Sequence, residues 1–126
     1  MDSIVHFEIP ADDVKRAAKF YKNAFGWSAQ QYGKMEYWML QTTEVGDDRM
    51  PKNPGSINGG MAKRRAPLKS VTVTIGVADI DKALEKVKKH GGKVVGKKTE
   101  IPDMGWSAYI RDSEGNVIGL YQFPSR

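Results

Sequence analysis

The feature that most restricts the fold of this chain is a repeat. Two stretches of its 126 residues carry one pattern at a constant displacement of 66 positions. Asp13 matches Asp79, Ala17 matches Ala83, Ala18 matches Leu84, Tyr21 matches Val87 and Gly26 matches Gly92. A carboxylate cap, an apolar stripe at helical spacing (Val14, Ala17, Ala18, Tyr21 and Phe25 in the first copy) and a glycine stop recur together, as a duplicated supersecondary unit requires. Each cap follows a short β-branched run, residues 4–9 (stopped by Pro10) and 71–75. Each stop precedes three more strand candidates: 27–32, 36–42 and 56–63 in the first half, 93–101, 105–111 and 117–123 in the second. Both halves therefore read strand, helix, strand, strand, strand. One helix covers one sheet face and leaves the other open. Two halves side by side would bend their open faces into a concave cleft, where a small ligand is expected. The predicted fold is α+β: two βαβββ modules forming a cupped mixed sheet with the helices on its convex side. Residues 1–126 would make one domain, with module 1 at about 1–63, a linker at 64–69 and module 2 at about 70–126.

Composition narrows the chemistry. The absence of cysteine excludes disulfides, thiolate metal sites and cysteine nucleophiles. Histidine occurs only at His6 and His90, so a metal would have to lean on carboxylates. The net charge of +5 suits an anionic partner. However, Lys82, Lys86 and Lys89 share the helix face opposite Ile80, Leu84 and Val87, with no aromatic residue among them. That pattern fits a solvated face and argues against nucleic acid. Apolar runs such as Tyr37-Trp38-Met39-Leu40 are too short to span a membrane, and the start lacks the pattern of a signal peptide. The expected location is the cytoplasm.

Strand alternation puts His6 and Glu8 together on the sheet face away from the first helix, with Val5, Phe7 and Ile9 toward it. An imidazole and a carboxylate so placed could hold a divalent metal, could act as an acid–base pair with Glu8 orienting His6, or could be plain polar residues in a wet groove. The repeat sets Thr72 and Thr74 at the matching positions, where hydroxyls would bond a substrate. His90 ends the second helix and is expected to meet its carbonyls. A turn at Asp112-Ser113-Glu114-Gly115-Asn116 would pair Arg111 with Val117 and Tyr109 with Gly119. Ile110, Ile118 and Leu120 then face the helix, while Tyr109 and Tyr121 line the open face. The run from Gly55 to Gly60 lacks the lysine and helix start of a phosphate loop, and Gly60 reads as leaving room in the pocket. The segment 46–55 reads as a connection, with a lid as the alternative.

Several of these residues together resemble the vicinal oxygen chelate superfamily, which includes glyoxalase I, bleomycin-resistance proteins and extradiol dioxygenases. They are His6-Phe7-Glu8-Ile9-Pro10-Ala11-Asp12-Asp13, Phe20-Tyr21, Phe25-Gly26-Trp27, Val77-Ala78-Asp79-Ile80, Gly91-Gly92 and the turn at 112–116. Gly105-Trp106 with Gly119-Leu120-Tyr121-Gln122 looks like a glyoxalase-like subgroup. The resemblance covers almost the whole chain and implies paired βαβββ modules around a cupped sheet. The metal enzymes of the family place one ligand on the first and one on the last strand of each module. Carried over, those positions hold His6, Thr72, Gly60 and Gly119, and only His6 can ligate as the family's residues do. The resemblance thus implies a glyoxalase-like protein with its metal site largely lost and open space where the glycines lie. No cofactor is expected, and any divalent metal would rest on His6 and Glu8. The protein would bind a small organic ligand, or act on it through His6 and Glu8, with Thr72, Thr74, Gly60, Tyr109, Gly119 and Tyr121 lining the cleft. The alternatives are a metal-dependent lyase, isomerase or dioxygenase using His6 and Glu8, and a drug-sequestering binding protein. A homodimer is implied, its modules paired within a chain or swapped between chains.

Overall fold

Caps and alternation set the elements that the chain forms. The structure is a computed structural model that describes residues 1–124. In order, its elements are β1 (Ile4–Ala11), α1 (Val14–Phe25), β2 (Ser28–Gln31), β3 (Tyr37–Gln41), β4 (Gly59–Lys63), β5 (Thr72–Gly76), α2 (Ile80–Lys89), β6 (Lys93–Ile101), β7 (Gly105–Arg111) and β8 (Val117–Gln122). This is βαβββ twice over, in an α+β fold with mixed strand pairing. The chain divides into two compact units: residues 6–71, and residue 72 onward together with 1–5.

In the first unit the strands run in the order β2-β3-β4-β1, with β1 parallel to β4 and the other pairs antiparallel. Asp13 caps α1 by accepting from the Arg16 N–H at 3.0 Å, satisfying a donor with no partner inside the helix. Val14, Ala17 and Tyr21 pack with Phe7 and Ile9 against buried Ala11, Leu40 and Met61. Gly26 ends α1 in the left-handed conformation, at φ 77°.

Two features depart from expectation. Pro10 does not stop β1, which continues to Ala11. The Ala11 carbonyl accepts from Arg64 N–H on the β4 side, and alternate residues of a parallel strand point their backbone groups to opposite edges. Pro10 therefore owes β4 no N–H. Phe25, at the end of the apolar stripe, is 64% exposed. Trp27 takes the place that the stripe gave to Phe25, stacking on Tyr21 with centroids 4.9 Å apart and planes 9° from parallel.

The second unit has the order β5-β8-β7-β6, with β5 parallel to β8. Asp79 caps α2 through Lys82 N–H at 3.1 Å. Ile75, Ala83, Leu84, Val87 and Ile118 surround a core of Val77, Ile80, Ala108, Ile110 and Leu120. Here the repeat slips by one residue. The left-handed glycine after α2 is Gly91, at φ 92°, whereas Gly92, the match to Gly26 in sequence, bonds its N–H to the Val87 carbonyl at 2.8 Å. α2 has 10 residues and α1 has 12, so α2 is the shorter helix. Segment 64–69, the linker of the sequence reading, is tied to the first unit. The Arg64 side chain bonds Asp12 Oδ1 and the Lys69 carbonyl at 3.0 and 2.6 Å, and Leu68 is buried.

Candidate functional site

The polar face of β1 follows from its apolar one. Phe7 and Ile9 join the core under α1, so alternation turns His6, Glu8 and Pro10 to the other face. The register extends that face across the unit. Glu8 lies beside Gly60 and Gly60 beside Met39, while Pro10 lies beside Ala62 and Ala62 beside Tyr37. Glu8 is buried, at 7% exposure.

Tyr37 reaches back along this face to His6. Its hydroxyl lies 2.8 Å from His6 Nε2. The ring can lie there because residue 60 is glycine: a Cβ at Gly60 would overlap the Tyr37 hydroxyl and ring. This corrects the expectation that Gly60 leaves pocket space open, since Tyr37 fills that space. Burial holds the His6 pKa below its ordinary value of 6.5, with the negative charge of Glu8 opposing the shift. A neutral imidazole has one donor and one acceptor nitrogen, so the His6–Tyr37 bond can run in either direction. The arrangement sets an imidazole, a phenol and a carboxylate on one sheet face.

In the second unit, the sheet face turned away from α2 carries the other expected site residues. Ile75, Ile118 and Leu120 face α2, which leaves Thr72, Thr74, Gly119 and Tyr121 on the opposite side. Thr74 pairs with Gly119 and Gly119 with Tyr109; Gly76 pairs with Tyr121. The hairpin has the expected register, Arg111 with Val117 and Tyr109 with Gly119. Thr72 and Thr74 are both buried. Gly119 does not open space either, because a Cβ there would lie 2.6 Å from Thr74 Oγ1. The structure thus groups His6 and Glu8 with Gly60 in the first unit, and Thr72, Thr74, Tyr109 and Tyr121 with Gly119 in the second. His90 caps α2 through its backbone N–H, which bonds the Lys86 and Val87 carbonyls at 3.0 and 3.3 Å.

The donor set implied by the resemblance does not fit these residues. Gly60 and Gly119 are equivalent, being the β4 partner of Glu8 and the β8 partner of Thr74, and neither offers a side-chain donor. The volume above Gly60 holds a phenol ring.

Tyr37 is the residue that sequence reasoning missed. Its signal was the alternation in β3, where Trp38 and Leu40 pack in the core and Tyr37 and Met39 alternate with them on the other face. The connection 42–58 hid the register that would have brought Tyr37 to Gly60. That connection is clasped at its base: Asn58 Oδ1 accepts from the N–H groups of Thr42 and Thr43 at 2.7 and 3.0 Å, and Thr42 Oγ1 donates to the Ile57 carbonyl at 2.6 Å. Two open grooves of about 240 and 380 Å³ lie elsewhere, beside Trp106 and beside Phe20, and neither is lined by His6, Glu8 or Tyr37.

Comparison with known proteins gives consistent relatives. The family model described as Glyoxalase/Bleomycin resistance protein/Dioxygenase superfamily matches residues 3–120. A glyoxylase-like domain-containing protein of Didymella fabae is 32% identical over 123 residues, covering 94% of this chain and 92% of its own. The Mycobacterium bovis protein CFP32 is 29% identical over 120 residues, and the match spans 43% of its length. Among solved structures, a Streptomyces coelicolor methylmalonyl-CoA epimerase in complex with 2-nitronate-propionyl-CoA aligns with a TM-score of 0.67 at 14% identity, covering 97% of both chains.

Proposed function

The chain belongs to the Glyoxalase/Bleomycin resistance protein/Dioxygenase superfamily, and on that premise we propose that it binds a small organic molecule on the sheet face bearing His6 and Tyr37, without the metal set common among its relatives. The observation that carries this reading is the His6–Tyr37 hydrogen bond above Gly60. It sets a phenol against an imidazole where a metal-binding relative would need a ligating side chain on β4. A neutral His6 can take a proton from a bound ligand, and the charge of Glu8 favours the imidazolium that results. The same face can therefore hold a ligand or act on it as an acid–base pair.

A thermal-shift screen of small organic molecules, run beside metal analysis of protein purified without chelator, tests the proposal. The expected result is a small-molecule hit lost in His6→Ala, on protein that carries no stoichiometric divalent metal. Stoichiometric metal that disappears in His6→Ala would overturn the metal-free reading and favour a metal-dependent lyase, isomerase or dioxygenase. A hit recovered unchanged marks a binding protein, and one converted only when His6 is intact marks an enzyme.

A further inference from the structure

Helix α1 is unevenly charged. Its residues include Lys15, Arg16, Lys19 and Lys22 and no carboxylate. The acids just ahead of it, Asp12 and Asp13, are both engaged. Asp12 Oδ1 accepts from Arg64 Nε at 3.0 Å, and Arg64 Nη1 donates to the Lys69 carbonyl at 2.6 Å. Asp13 Oδ1 accepts from the Arg16 backbone N–H, at the helix end where the dipole favours a negative charge. The Arg16 guanidinium has no ion-pair partner among the described residues. Asp12, Asp13, Arg16 and Arg64 supply the charges of the 380 Å³ groove beside Phe20, which lies within the first unit. Its apolar lining is Ile9, Pro10, Ala11, Ala17, Phe20 and Tyr21. The volume falls in the range of small-molecule sites, roughly 300–1,000 Å³. Phe20 is 57% exposed and meets Tyr21 edge-on, with centroids 5.1 Å apart, so an apolar cover over its free surface is favourable.

We propose that this groove is a ligand site of its own, which takes a small molecule with an apolar ring body and one carboxylate. The ring body covers Phe20 and the apolar lining, and the carboxylate meets the Arg16 guanidinium. A guanidinium presents paired N–H donors that match the two oxygens of a carboxylate. A neutral ligand of the same shape gains only the apolar part, and a cationic one is repelled by Arg16 and the lysines of α1. The groove is not lined by His6, Glu8 or Tyr37, so this site stands apart from the reading above.

The probes are naphthoate and its neutral isostere naphthamide, titrated into isotope-labelled protein and followed by NMR of the backbone amides. Naphthoate is expected to shift the amides of Ala11, Ala17, Phe20 and Tyr21 and to bind more tightly than naphthamide. Arg16→Gln is expected to weaken naphthoate roughly threefold to tenfold and to leave naphthamide unchanged, a split that a general loosening of α1 would not produce. Phe20→Ala is expected to weaken both probes. Lys82→Gln, a lost cation on α2, and His6→Ala are expected to affect neither. Equal affinity for the two probes, or wild-type affinity for naphthoate in Arg16→Gln, would overturn the carboxylate assignment. No shift of the groove amides at millimolar naphthoate would overturn the site itself. Naphthoate binding lost in His6→Ala would overturn it too, by placing the ligand on the His6 face. Shifts of the same amides on concentrating the protein alone would show a second copy in the groove and overturn the small-molecule occupant. Absence of naphthoate binding leaves the His6 screen above to stand or fall by its own result.

Discussion

At position 60 the lack of one carbon atom decides where an aromatic ring lies. Gly60→Ala would set a methyl group into the Tyr37 ring, and a tightly packed neighbour resists such insertion. The expected cost is about 1–3 kcal/mol by urea unfolding. In a Tyr37→Ala background most of that cost should vanish, because the obstacle is gone. A full cost in both backgrounds would place the strain elsewhere. His6 makes a second prediction. Its folded pKa lies below 6.5 because burial disfavours the imidazolium, so below pH 6.5 the unfolded chain binds the proton first. The stability that depends on neutral His6 is present above pH 6.5 and is lost as pH falls through the lower folded value. Stability measured from pH 7.5 downward should fall more steeply for wild type than for His6→Gln, and parallel curves would contradict the assignment. The sequence showed His6 and Glu8 on one face because two-residue alternation is enough for that. It could not show what lies over Gly60, because that depends on a neighbour contributed from another strand.

Among the elements, those with local determinants were legible. The caps at Asp13 and Asp79 need only their own first turns, and the β7–β8 register needs only the turn between the strands. Asp112 accepts from the N–H groups of Glu114 and Asn116 and from the Asn116 side chain, at 2.9, 2.9 and 3.0 Å. These bonds hold its carboxyl below its ordinary value of 3.8. Asp112→Ala is expected to speed hydrogen exchange of the Ile110 and Ile118 amides relative to those of β2 and β3. The wild-type turn should loosen likewise only as pH falls below 3.8 toward the folded value, where the carboxylate is protonated. Asp79→Ala removes the cap of α2 and should cost about 0.5–2 kcal/mol in chemical denaturation; no change would mean that water caps the helix equally well. The β3–β4 register was not legible, since the connection 42–58 separates the strands and is held by side chains, Asn58 above all. Phe25 misled for a related reason. Helical spacing marked it as core, yet Trp27, just beyond the glycine that ends α1, stacks on Tyr21 in its place.

For the molecule as a whole, the duplication repeats a backbone and not a chemistry. The β3 residue Tyr37 corresponds by register to Ser107 on β7, since each lies beside the partner of an equivalent position: Pro10 through Ala62, and Gly76 through Tyr121. Where the first unit fills the space over its glycine with a phenol, the second fills it with Thr74. The repeat could announce two like halves, but not that one of them places an imidazole against a phenol. Each half has its own core, around Leu40 and Met61 in one and around Ile80 and Leu120 in the other. Two compact units with separate cores are expected to open as separate cooperative blocks. Leu40 and Ile80 are each 1% exposed, and truncating such a residue to alanine costs about 2–5 kcal/mol. In native-state hydrogen exchange, Leu40→Ala should lower the protection of slow amides within 6–71 by that amount and lower those within 72–124 by less. Ile80→Ala should do the reverse. Each variant acts on its own block because partial opening releases only the contacts of the damaged core. If both variants lowered protection equally across residues 6–124, the duplicated chain would unfold as one cooperative unit.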